Sequence, residues 1–213
     1  MTAAPCSIQA CALRLLPVVL AISAACAHAG GVTILVTDSA GAPVGDAVVY
    51  AEATGGQALP KSTRAAEIEQ KARKFAPMVT VIQAGTEISF PNNDTVRHHV
   101  YSFSTPKTFE LKLYSGTPGS PILFDKPGTI VVGCNIHDQM LAYIQVVNTP
   151  YFARTDAAGK AHFDGVAAGK YNLKLWHYKT PAPNQILEQP LTVAAADTSA
   201  AFKLPAKAAS GGN

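Results

Sequence analysis

Pro127-Gly128-Thr129-Ile130-Val131-Val132-Gly133-Cys134-Asn135-Ile136-His137-Asp138-Gln139-Met140 decides how the chain folds, and the apolar run Leu141 to Val147 follows it directly. The β-branched residues 130 to 132 read as a strand ending at Cys134, because such side chains pack well on a pleated surface. A second strand opens just after Met140. The tight loop between them offers a thiolate, an imidazole and a thioether from one place. Thiolate and thioether are soft donors, imidazole suits either oxidation state of copper, and a weak axial Met is typical of electron-transfer copper sites. The donor set therefore points to one mononuclear copper ion, whereas zinc rarely takes methionine.

A trigonal copper site needs a second imidazole from another strand, so that the fold and not the ion sets the geometry. His98 and His99 are both candidates. They follow the apolar segment Val79 to Ala84, a turn at Gly85, the alternating segment Thr86 to Phe90 and the polar loop Pro91 to Arg97. Cys134 comes thirty-six positions after His98, a separation that tertiary folding must close.

Outward from this centre, short Val, Ile, Thr and Tyr runs alternate with Gly, Pro, Asn and Asp turns, which predicts an all-β chain. Residues 1–29 have the layout of a secretory signal: Arg14, the apolar stretch Leu15 to Ala27, then small residues with cleavage expected after Ala29. Its apolar part falls short of the roughly 18–20 residues a membrane-spanning helix needs, and no other segment comes closer, so no stable membrane insertion is expected. Removing Arg14 lowers the formal charge from +3 to +2. With no basic block beyond the scattered Lys71, Arg73 and Lys74, a nucleic-acid partner is not expected. Cys6, Cys11 and Cys26 lie in the signal, which leaves Cys134 alone in the exported chain. A single thiol in an oxidising compartment has to be buried or coordinated.

Two outer stretches share a style. Val32 to Val36, the turn Asp38-Ser39-Ala40-Gly41-Ala42-Pro43 and Ala47 to Tyr50 form a strand-turn-strand unit. Thr155-Asp156-Ala157-Ala158-Gly159 and Gly169-Lys170-Tyr171-Asn172-Leu173 repeat it beyond the middle stretch. One hairpin alone is marginal in water, so the two should pair. These elements resemble the two halves of a carboxypeptidase regulatory-like, prealbumin-type sandwich. The middle stretch, with Phe90-Pro91-Asn92-Asn93 leading to His98, the approach Phe124, Pro127 and Gly128, and Cys134, His137 and Met140 at short spacing, resembles a cupredoxin of the plastocyanin and amicyanin kind. Phe90 to Asp94, His99 to Ser104 and Cys134 to Met140 together also resemble bacterial periplasmic proteins labelled methylamine utilization proteins.

The resemblances imply a cupredoxin Greek-key β-sandwich inserted into a second, prealbumin-like β-sandwich. The expected division is 1–29 signal, 30–60 first outer half, 61–74 linker with room for a short edge strand, 75–148 cupredoxin domain, 149–204 second outer half and 205–213 flexible tail. They imply His98, Cys134, His137 and Met140 as copper ligands, with His99 as the alternate ligand or a neighbour bonded to one. The implied function is a periplasmic type 1 copper protein, not an enzyme, that passes single electrons to a transient redox partner such as a dehydrogenase or a c-type cytochrome. A copper carrier would use the same ligands, and a non-catalytic carbohydrate- or protein-binding module would use the outer sandwich instead. Two departures from the cupredoxin pattern stand out: His99 occupies the position usually held by Asn, and Asn135, Ile136, Asp138 and Gln139 make a more polar loop than amicyanin's.

Other tempting residues read as structural. His162 and His177 lack partners at metal spacing, and Trp176, Tyr171 and Tyr178 read as core or edge packing. Asp94 and Asp138 could act as acid or base, yet no triad or paired-carboxylate pattern accompanies them.

Overall fold

A computed structural model describes residues 30–55, 59–61, 64–180, 185–194 and 196–205. The expected signal, and all but the first residue of the expected tail, lie outside the described residues. The described chain is all-β. Its strands are β1 (Gly30–Thr37), β2 (Val48–Ala53), β3 (Ala66–Glu67), β4 (Glu69–Lys71), β5 (Lys74–Ala76), β6 (Val79–Gln83), β7 (Thr86–Ser89), β8 (His98–Ser104) and β9 (Lys107–Tyr114). They continue as β10 (Ile122–Phe124), β11 (Gly128–Cys134), β12 (Leu141–Val147), β13 (Phe152–Arg154), β14 (Lys160–Val166), β15 (Gly169–Trp176), β16 (Ile186–Val193) and β17 (Thr198–Lys203). None of the helices that would be long and apolar enough to cross a membrane occurs among the described residues.

The outer unit is built from both ends of the described chain. One sheet has the order β14-β1-β17 and the other β13-β2-β15-β16. Side chains alternate across a strand. Accordingly Val32, Ile34 and Val36 of β1 and Tyr171, Leu173 and Leu175 of β15 point into one shared core. Matching turns close the edges. The Asp38 carboxylate accepts from the amides of Ala40 and Ala42, and the Asp156 carboxylate accepts from those of Ala158 and Lys160, all at 2.9 Å.

The inner unit packs the sheet β6-β12-β11-β8-β9 against β10-β7-β3. Ile68, Phe75, Ile82, Ile88, Phe90, Val100, Phe124, Ile130, Val132, Ala142, Ile144 and Val146 fill the space between. The stretch expected to be a linker belongs partly to this unit: β3 pairs in parallel with β7, Ile68 is fully buried, and β4 and β5 form a hairpin. The inner unit thus begins ahead of Phe75. Apolar periodicity missed it because Ile68 is an isolated apolar residue whose neighbours are polar.

The two units share a third core. Val48, Tyr50 and Trp176 of the outer sheet meet Val79, Val147, Met78, Val81 and Tyr143 of the inner unit. This explains why residues 48–51 are buried without alternation: Val49 and Ala51 face the outer core while Val48 and Tyr50 face the inner unit.

Candidate metal centre

Period-two alternation carries the inward rows of three neighbouring strands to one end of the inner core. Ile130 and Val132 on β11 lead to Cys134, and Val146, Ile144 and Ala142 on β12 lead back to Met140. On β8, Val100 and Ser102 continue the row that begins at His98, and all three are fully buried. His99, one position on, faces outward and binds Glu110 through Nε2 at 2.8 Å. Two residues of β9, Lys112 and Leu113, stand opposite His99, a bulge that locally re-aims the strand.

The loop between β11 and β12 is closed by its own backbone. The Cys134 amide donates to the Met140 carbonyl at 3.2 Å, and the Met140 amide to the His137 carbonyl at 2.9 Å. The Asn135 amide donates to the His99 carbonyl at 3.1 Å, tying this loop to β8.

These constraints place the Nδ1 atoms of His98 and His137 at 3.6 and 3.7 Å from the Cys134 sulfur. The three ligand atoms lie within 4.8 Å of one another. Two donors bonded to one ion at about 2.0–2.3 Å, with an angle of about 110–120° between them, stand about this far apart. Cys134 and Met140 are buried, and His137 is half-buried. The donor set, two imidazoles, a thiol and a nearby thioether, suits a copper ion.

Asp94 reaches His98 from behind, its Oδ2 3.1 Å from His98 Nε2. It also accepts from the Arg73 amide at 2.7 Å and the Thr95 amide at 2.8 Å. The Arg73 amide first, then His98 and the Thr95 amide, lower its pKa to about 2. Asn92 holds the rest of this loop. Its side chain donates to the carbonyls of Val96 and Tyr114 and accepts from the Asp94 amide. Fully buried Gln70 donates to the Phe90 carbonyl, which also accepts from the Tyr114 hydroxyl. Burial pushes the Tyr114 hydroxyl up to about 12.

His98, Cys134, His137 and Met140 are therefore brought together, whereas His99 and the exposed Asp138 are not. His162 stays at the surface with Thr33 and Asp164, and His177 is buried in the outer unit. Trp176 and Tyr171 are core residues. Sequence reasoning missed the contact of Asp94 with His98, for which the four-residue spacing was a usable signal. It also missed Gln70 and Arg73, which reach the site only through long-range pairing.

No protein-family model and no curated protein matches the chain. Among solved structures it is similar to a purple cupredoxin from Nitrosopumilus maritimus, at 19% identity over 38% of this chain and 99% of that one, TM-score 0.35. It is similar to a copper-containing nitrite reductase from Thermus scotoductus at 26% identity over 55% of this chain but only 28% of that one, TM-score 0.37. A reduced amicyanin variant is similar at 16% identity over 46% of this chain and 91% of that one, TM-score 0.34.

Proposed function

We propose that the chain binds one copper ion through His98, Cys134, His137 and Met140 and carries single electrons between redox proteins of the periplasm. The observation that supports this is the placement of two imidazole Nδ1 atoms 3.6 and 3.7 Å from one buried thiol sulfur. Copper, when bound, supplies a one-electron couple. The chain's part is to hold the donors still: His98, Cys134 and Met140 sit at the ends of packed inward rows, so little has to move when the charge changes. His137 is the half-buried member, flanked by exposed Ile136 and Leu141, and forms the side a partner approaches. A dehydrogenase or a c-type cytochrome fits as the transient partner, and no substrate turnover is assigned. The signal-like residues 1–29 support export, and the buried Cys134 suits an oxidising compartment.

The test loads the mature protein with Cu(II) and records visible and electron paramagnetic resonance spectra. An intense thiolate charge-transfer band is expected, absent in Cys134→Ser. A colourless protein with weak, readily lost metal would overturn the proposal.

One observation favours copper delivery instead: Asn135, Ile136, Asp138 and Gln139 around the ligands are all exposed, leaving the loop open to an exchanging partner. Complete transfer of copper to a competing chelator within minutes selects that reading, and retention over hours rejects it.

A further inference from the structure

We infer that Asp94 is a positioning residue for the metal site, orienting His98 and raising its donor strength, and that the β4–β5 turn in turn fixes Asp94. The inference rests on the copper reading above for its redox consequence, and on geometry alone for the orientation.

His98 is fully buried, so both ring nitrogens need partners inside the protein. Nδ1 faces the Cys134 sulfur and Nε2 faces Asp94 Oδ2. A neutral imidazole carries one N–H, and a carboxylate can only accept. Donation from Nε2 to Asp94 leaves the lone pair on Nδ1, the atom that faces the thiol. A carboxylate behind a ligating imidazole also increases its basicity. Extra negative charge beside the ion favours the more highly charged oxidation state.

What aims Asp94 lies on another element. The turn between β4 and β5 has Ala72 at φ 50° and Arg73 at φ 57°, both in the left-handed region and neither of them Gly or Asn. That conformation presents the Arg73 amide to Asp94 Oδ2. The hairpin is also bonded along the ligand loop. The Gln70 amide donates to the Pro91 carbonyl, the Asn93 amide to the Gln70 carbonyl, and the Asn93 side chain to Glu69. The elements that hold Asp94 therefore lie ahead of β6, for the most part in the stretch expected from sequence to be a linker.

Two measurements test this. In the metal-free protein, nitrogen-15 NMR of the His98 ring should show the proton on Nε2. A proton on Nδ1 in the wild type overturns the orientation whether or not copper binds. In the copper-loaded protein, Asp94→Asn should weaken Cu(II) relative to Cu(I) at least tenfold, a rise of at least 59 mV in the one-electron potential. Asp94→Ala should also lower Cu(II) affinity about 10–100-fold. Glu87→Gln removes an exposed charge from β7 of the same unit without touching His98, Asp94 or the hairpin, and should change the affinity ratio less than twofold. Equal shifts in Glu87→Gln and Asp94→Asn, or no shift in Asp94→Asn, would overturn the role. Failure of the wild type to form the thiolate band overturns the copper reading alone.

Discussion

His98 and His99 differ by one position and therefore by one face of β8. The inward one meets Cys134, and the outward one meets Glu110. His98→Ala should abolish the thiolate band, whereas His99→Ala should change Cu(II) affinity less than threefold. Titration followed at the charge-transfer wavelength checks both, and loss of the band in His99→Ala alone would reverse the assignment. A second histidine matters for stability. His177 is buried, and its pKa is lowered first by desolvation and then by Lys179. The unfolded chain therefore binds a proton here more readily than the native one, and stability rises with pH. This contribution is complete above the unfolded value of about 6.5 and is lost as pH falls below it toward the lower native value. The metal-free protein should lose more stability between pH 7.5 and 5.5 than His177→Asn. Asn offers its Oδ1 to the Lys179 amide that now bonds Nδ1, so the local turn survives. Parallel stability curves for the two proteins would refute the linkage.

Turns set the outer unit at the scale of elements. Gly159 has φ 73°, and a Cβ there would stand 2.4 Å from the Val36 carbonyl oxygen. That carbonyl also accepts from the Val44 amide, and the Gly159 carbonyl accepts from the Val36 amide. Gly159→Ala must therefore strain its own backbone, at about 1–3 kcal/mol, and move the edge of β1 as well. A urea midpoint lowered by that energy divided by the slope, or by more, with the slope itself unchanged, is the expected result. Gly41 has φ 88° in the matching turn near β1 but meets nothing within 4 Å. Gly41→Ala should cost less than Gly159→Ala, and the reverse order would show that close approach is not the deciding term.

Across the whole molecule, the third core makes the two units interdependent. Trp176 is nearly fully buried beside Tyr143, their ring centroids 5.7 Å apart, and Tyr143 stacks on Tyr178 at 5.2 Å. The outer strands β2 and β15 and the inner strands β6 and β12 bury their facing side chains in this one shared cluster. The metal-free protein should therefore unfold in one cooperative transition. Trp176→Ala should cost about 3–5 kcal/mol and separate the transition into two, followed by calorimetry alongside Tyr fluorescence. Two transitions already present in the wild type would mean that the shared core does not couple the units.

Much of this was legible because it is local. Alternation, β-branched runs and turn residues mark the strands, and the spacing of Cys134, His137 and Met140 places three donors on one short loop whatever else the chain does. The turns Asp38 to Pro43 and Thr155 to Gly159 announce themselves for the same reason: an Asp side chain bonds amides two and four residues on. Spacing along the chain could not decide between His98 and His99, since each lies one residue from the other and only packing chooses the face that turns inward. Nor could it show that residues 66–76 supply β3 to the inner sheet and, through the Arg73 amide, a partner for Asp94. Those contacts join segments about twenty residues apart whose pairing carries no periodic signal of its own. The identities of the donor atoms are properties of the residues and were present in the chain from the start. Their distances, and the tautomer that Asp94 imposes on His98, come from hydrogen bonds and burial that exist only once the sheets have closed.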